Sequence, residues 1–306
     1  MAGLGAARRP ASRVTSFFDV LLGGVFHASV LFLVAAGLQL VFGVQRIVNL
    51  ACGSFYALGA YFGITAVNWT SMHGAPAWSF LPVLILSGVL LGAIGPAIER
   101  LLRTVYHRDE AFQLLLTFAL VLMFQDILRF FWGATPQQLG NLSMSYGKVS
   151  IGEVSFPTYN VLVMLASIAI AASLGLFLQR TRYGRILRAT AENREMAEAL
   201  GANVRWIYTS VFTLGTVLGT VGGALVVPTS AASLDMPVEL VVEAFAVVVI
   251  GGLGSMRGAL AGALVVGLTR ALAISFYAEM EVLAIYMIVI AVLVVRPAGL
   301  FGKPVE

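Results

Sequence analysis

Charge is scarce in this sequence: 11% of its 306 residues, against about 25% in an average soluble domain. With 59% hydrophobic residues and a mean hydropathy of +0.92, that scarcity excludes an ordinary water-soluble domain and places the chain in lipid. The single cysteine, Cys52, excludes an internal disulfide and, set in an apolar run, is read as a small packing thiol. His27, His73 and His107 are far apart and share no ligand spacing, so no metal site is expected. No GxxxxGK[ST] phosphate loop occurs; "FGKP" at 301–304 lacks both the spacing and the hydroxyl. HExxH, GxSxG and suitably paired acids are also missing, so no residue is assigned a catalytic role. No basic patch interleaved with aromatics appears, which argues against nucleic acid. Acids within the clear spans are taken to be Asp126 and Glu243, too few for a proton or sodium relay.

What the chain has instead is long apolar runs. A bilayer core of about 30 Å takes around 20 apolar residues per helix. Runs of that kind cover 17–45, 47–69, 77–98, 111–133, 158–178, 205–227, 240–272 and 282–296. The expected fold is an all-α membrane protein, a polytopic bundle of about eight to ten transmembrane or re-entrant helices over 17–296. The first run continues to Val44, well past the about 7–15 residues of a signal core, so it is read as retained. Arginine-rich segments favour the cytoplasm. On that rule "ERLLRTVYHRDE" (99–110), the charged loop 180–204 and the tail 297–306 lie inside, while 134–157 and 228–243 lie outside. These sides alternate if 240–272 dips in and returns. The front end is less regular. Arg8, Arg9 and Arg13 favour a cytoplasmic tail at 1–16, whereas two full spans before 77–98 put it outside. One of the first two segments is therefore expected to be broken or re-entrant.

Two glycine-rich breaks interrupt the apolar runs, "GVQRIVNLACGSFYALGAY" (43–61) and "VVVIGGLGSMRGALAGALVVG" (247–267). Corresponding breaks in two halves point to an internal pseudo-repeat and to a solute path between the repeats. Close helix packing through Gly258 and Gly262 is the other reading. Candidate pathway or gate residues are Gln45, Arg46, Asn49, Cys52, Ser54 and Tyr56 in the first break, and Gly251, Gly252, Gly254 and Ser255 in the second. Arg46 and Arg257 belong near the cytoplasmic surface, because an arginine at mid-bilayer costs at least ~2.5–3.5 kcal/mol.

The remaining charge is gathered in one place. Residues 180–205 hold six arginines and three glutamates. In lipid those arginines would cost on the order of 15–20 kcal/mol, so the block sits in water. From Arg185 to Leu200 there is no proline or glycine, and good helix formers dominate. One short helix over 185–201 is expected, with Ile186, Ala189, Ala197 and Leu200 as its apolar face and Gly201 as its stop. A chain built for passage but without an energy source needs a gradient or a partner. A helix on the inner face is a handle for a partner.

"GLQLVFGVQRIVNLACGSFYALGAY" (37–61), "TRYGRILRATAENREMAEALGANV" (181–204), "VVVIGGLGSMRGALAGALVVGL" (247–268) and "VLVVRPAGLFG" (292–302) together resemble the inner-membrane permeases of branched-chain amino-acid ABC importers. The resemblance covers nearly the whole chain in the same order. It implies a multi-pass permease subunit of the bacterial inner membrane, in an ATP-driven, binding-protein-dependent importer. Such a subunit is not an enzyme and holds no cofactor; ATP and Mg are used by the partner. It also implies that the 185–201 helix is a coupling helix seated in an ATPase subunit. On that reading the coupling residues are Gly184, Arg185, Arg188, Asn193, Ala197, Glu198, Ala199 and Gly201. A second permease chain, or a copy of this one, would complete the path, and a periplasmic or extracellular solute-binding protein would dock outside. Many family members read Asn-Phe-Ala-His-Gly-Glu-Phe at the first break. Here "NLACGSF" puts Cys52 at the histidine position and Ser54 at the acidic one, which leaves the cargo open among branched-chain amino acids, urea, short amides and aromatic acids. The competing reading is a self-sufficient secondary transporter or facilitator, which would move solute without nucleotide.

Overall fold

The computed structural model describes residues 13–106, 108–140, 146–151 and 154–302; the outer parts of both tails and His107 fall outside these. In lipid every backbone polar group must be satisfied within the protein, so the apolar runs become helices. They are α1 (Arg13–Gln45), α2 (Cys52–Met72), α3 (Phe80–Gly92), α4 (Gly95–Leu102), α5 (Glu110–Trp132) and α6 (Thr158–Arg180). The charged block forms α7 (Arg182–Glu192) and α8 (Arg194–Ala199). Then come α9 (Val204–Val226), α10 (Met236–Gly251), α11 (Met256–Phe276) and α12 (Glu281–Val295). Among the described residues six stretches are long and apolar enough to cross a membrane: α1, α3 with α4, α5, α6, α9 and α11. The only sheet among them is a hairpin of β1 (Lys148–Ile151) and β2 (Val154–Pro157), with Lys148 opposite Pro157.

Helix α9 is the centre of the bundle, packed by α1, α2 and α3. Glycine makes the approach possible. A Cβ on Gly59 would overlap the Thr220 carbonyl, and one on Gly223 would overlap the carbonyl of Tyr56. The backbones of α2 and α9 therefore touch, a crossing open only to the smallest residue.

The first break lies between α1 and α2. Arg46 is the one non-glycine residue with positive φ among the described residues, at 55°, and it ends α1. Gln45 bonds the Tyr208 carbonyl, whereas Cys52 and Phe55 pack beside Gly219. Measured along α9, the non-helical residues 46–51 climb eleven positions, about 16 Å at the helical rise. Six residues reach about 20 Å when extended. Helix α2 thus starts part-way along the bundle; α1 and α2 are each unbroken, so the interruption falls between the first two segments rather than within one of them.

The second break is a tight corner between α10 and α11, so the long 240–272 run turns back as a hairpin over 236–276. Gly252 and Gly254 take φ of 95° and 79°. Gln39 of α1 clamps them, its Nε2 donating to the Gly252 carbonyl at 2.9 Å and its Oε1 accepting from the Gly254 N–H at 2.6 Å. Residues 300 and 301 donate to the carbonyls of Ile250 and Gly251. Gly251 and Gly258 meet backbone to backbone. This break is built as packing.

The charged block differs from the single helix expected over 185–201. Asn193 leaves the helical region (φ −147°, ψ 103°), and its side chain accepts from the Met196 N–H at 2.9 Å. An asparagine able to cap a new helix outcompetes continuation of the old one. At the far end Ala202 N–H bonds Ala197 O and Gly201 N–H bonds Glu198 O, with Gly201 at φ 86°, a Schellman stop at the expected residue. The expected apolar face is also corrected. Gly184, Leu187, Thr190 and Ala197 face inward, while Ile186 and Leu200 are exposed, Leu200 by 81%.

Candidate functional site

Two regions, at opposite ends of α9, carry the polar chemistry. They are about 34 Å apart along that 23-residue helix. The first joins α7 and α8 to the bundle. Arg188 donates to the Leu178 carbonyl at 2.7 Å and Gly184 packs on the same carbonyl, fixing the corner between α6 and α7. The Arg194 guanidinium lies 5.4 Å from the centre of the Tyr208 ring. Gln45 Nε2 holds the Tyr208 carbonyl at 2.8 Å. The Tyr106 hydroxyl lies 3.4 Å from Gln45 Oε1 and 3.1 Å from Glu99 Oε1. Burial, and then the Glu99 carboxylate, push the Tyr106 hydroxyl up, so it stays a proton donor. Glu99 is fully buried and bound by Arg103 and by the Thr209 hydroxyl at 2.8 Å.

The second region is a cavity of about 630 Å³ at the end away from α7 and α8, lined by residues of α1, α2, α10, α11 and the 226–233 turn. On its wall Glu243 accepts from Arg270 at 2.7 Å and lies 2.9 Å from His27 Nε2. Arg270 also pairs with Glu281. Tyr56 lines the same cavity.

The candidate residues from the sequence fall in different places. Gln45 is part of the α7–α8 network, and Arg46 is exposed beside it. Arg257 is also exposed, near the corner that Gly254 makes against Gly43. Asn49 is buried and its Oδ1 accepts from the Ala51 N–H at 3.0 Å. Cys52 and Ser54 are buried, Ser54 with its hydroxyl unpaired. Of the ten pathway candidates only Tyr56 lines the cavity; Gly251, Gly252, Gly254 and Ser255 form the α10–α11 corner, where Ser255 caps α11 through the Gly258 N–H. In the coupling set Arg185, Glu198 and Ala199 are exposed, Ala197 is buried, and Asn193 and Gly201 bound α8.

The profile described as "Branched-chain amino acid transport system / permease component" matches residues 20–295. The chain belongs to this permease family. It is 25% identical to the high-affinity branched-chain amino acid transport system permease protein BraD of Pseudomonas aeruginosa, over 94% of this chain and 96% of that one. It is 26% identical to the LivH permease protein of Escherichia coli (strain K12), again over 94% and 96%. The ribose import permease protein RbsC of Haemophilus influenzae is 27% identical, over 89% of this chain and 84% of its own.

In this permease, sequence reasoning missed Arg270, Gln39 and the role of Glu99, and it passed over Asp19 inside the first apolar run. A signal was present: His27, Glu243 and Arg270 are isolated polar residues in apolar helices, and such residues find one another. Glu99, counted as part of a basic loop, is instead a buried carboxylate. Replacing it with alanine takes the partner from the Arg103 guanidinium and opens a polar gap. With the Arg103 side chain 35% exposed and able to turn to water, the Glu99→Ala permease should lose about 1.5–3 kcal/mol, the range for hydrogen bonds to a charged group, as read from its thermal unfolding in detergent. An unchanged melting temperature would show that the pair contributes nothing.

Proposed function

We propose that the chain is the permease subunit of an ATP-driven, binding-protein-dependent importer in the bacterial cytoplasmic membrane. Its cargo is a branched-chain or related amino acid, as the names of the BraD and LivH relatives suggest. The observation that carries the coupling role is α7–α8. This is a short helical unit braced at both ends, yet it presents Arg185, Met196, Glu198 and Leu200 outward. Exposed apolar side chains set among charges are what a protein partner buries. Arg194, Tyr208 and Gln45 link that unit to the start of the first break, so a push on α8 is felt at residues 46–51. With α7 and α8 in the cytoplasm, α1 begins on the outer side and the cavity opens where a solute-binding protein would deliver cargo. A second permease chain, related or identical, completes the path.

Affinity capture from native membranes tests this directly. An ATPase subunit and a solute-binding protein should be captured with the chain, and proteoliposomes of the complex should import only with ATP. The His27–Glu243–Arg270 cluster is the kind of group a gradient-driven carrier would use. Full-rate flux by the purified chain alone, without nucleotide, would overturn the proposal in favour of that reading.

A further inference from the structure

We infer that the cavity between α1, α2, α10 and α11 binds the ammonium group of a small aliphatic solute, with Glu243 and the Tyr56 hydroxyl as its acceptors. The inference rests on the transport reading and narrows its cargo. The cavity, about 630 Å³, is of the size that holds a small molecule. Phe26, Met236, Leu240 and Ile274 give it apolar walls for a short hydrocarbon chain.

Its charge is one-sided. Asp19, Glu239 and Glu243 line it against a single guanidinium, that of Arg270, so its carboxylates outnumber its guanidinium three to one. Arg270 is itself held by Glu243 and Glu281, so it is no free receptor for an anion. Each Glu243 oxygen keeps a second acceptor direction after its bonds to Arg270 and His27. Tyr56 supplies the independent observation. It is only 5% exposed, it lines the cavity, and its hydroxyl has no hydrogen-bond partner among the described residues. A hydroxyl that opens on the cavity and bonds no other described group keeps its oxygen lone pairs available to an ammonium donor.

This chemistry separates cargo classes that the relatives leave together, since the same family likeness extends to a permease named for ribose. A sugar, urea or amide brings no cation to the excess negative charge, and a simple carboxylic acid is repelled by it.

Calorimetric titration of the full chain in lipid nanodiscs tests the site with probes that each carry one group. 3-Methylbutylamine should bind, with 4-methylpentanoate and D-ribose at least about a hundredfold weaker. Tyr56→Phe, which keeps the ring and its packing, should weaken the amine by about tenfold, and Glu243→Gln by about a hundredfold. Equal binding of the acid or the sugar, no binding of the amine, or unaltered affinity in Tyr56→Phe would overturn the inference. Capture of the ATPase from the same membranes is scored without solute. An ATPase present with no amine site sinks this inference alone, whereas a missing ATPase sinks the importer reading.

Discussion

A chain carrying Glu198→Arg together with Gly201→Trp is expected to reach the membrane in normal amount, fail to retain an ATPase, and import nothing measurable. Gly201 sits at φ 86°, where a bulky side chain is strained, and nothing lies within 4 Å of its Cβ position, so the indole would project outward. Glu198 is exposed on α8 beside Leu200. Neither change touches the bundle, which is why insertion survives. Both alter the surface offered to a partner: one reverses a charge, the other adds a large ring and distorts the Schellman stop. Two such defects at the centre of a small interface amount to about 3 kcal/mol or more, at least about a hundredfold in affinity. Uptake by whole cells, ATPase capture and an immunoblot of the membrane fraction check the three parts together. Normal uptake would mean that α8 is not the point of contact.

The second large effect concerns the fold itself. Gly59→Val places a branched side chain where the Thr220 backbone already lies, at the α2–α9 crossing. No rotamer avoids a clash with backbone, so the helices must separate and the core around Tyr56 and Phe212 must open. We expect no folded protein in the membrane fraction, and a fluorescence size-exclusion trace dominated by aggregate. Gly175→Ala in α6 is the control. Nothing lies within 4 Å of its Cβ position, and alanine is the better helix former by about 1 kcal/mol. That variant should accumulate as well as the parent. Equal accumulation of Gly59→Val would show that α2 and α9 do not cross in backbone contact.

How much of this was legible in the sequence follows from the range of each interaction. Helices α5, α6 and α9 end within two residues of the apolar runs at 111–133, 158–178 and 205–227, because lipid acts on every residue of a run at once. Gly201 was also legible, since a helix stop is a local event. Asn193 was not. Its neighbours favour helix, and only the bond to Met196 N–H, formed once the chain bends, decides for a cap. His27 and Glu243 are 216 positions apart, and one histidine in an apolar run names no partner. Leu200 misled for another reason. Helical spacing gave it an inward face, but the break at Asn193 turns α8 relative to α7 and leaves it outside.

One consequence of the way α1 enters the bundle is practical. Its early turns lie at the cavity end, where Asp19, Val20 and Gly23 line the cavity, whereas residues 300 and 301 pack at the opposite end, on Ile250 and Gly251. On the orientation proposed above, with α7 and α8 in the cytoplasm, a reporter ahead of α1 is expected on the outer side and one after residue 302 on the cytoplasmic side. On that orientation a covalent tandem of two copies needs an extra hydrophobic helix in its linker, to carry the polypeptide back across the bilayer.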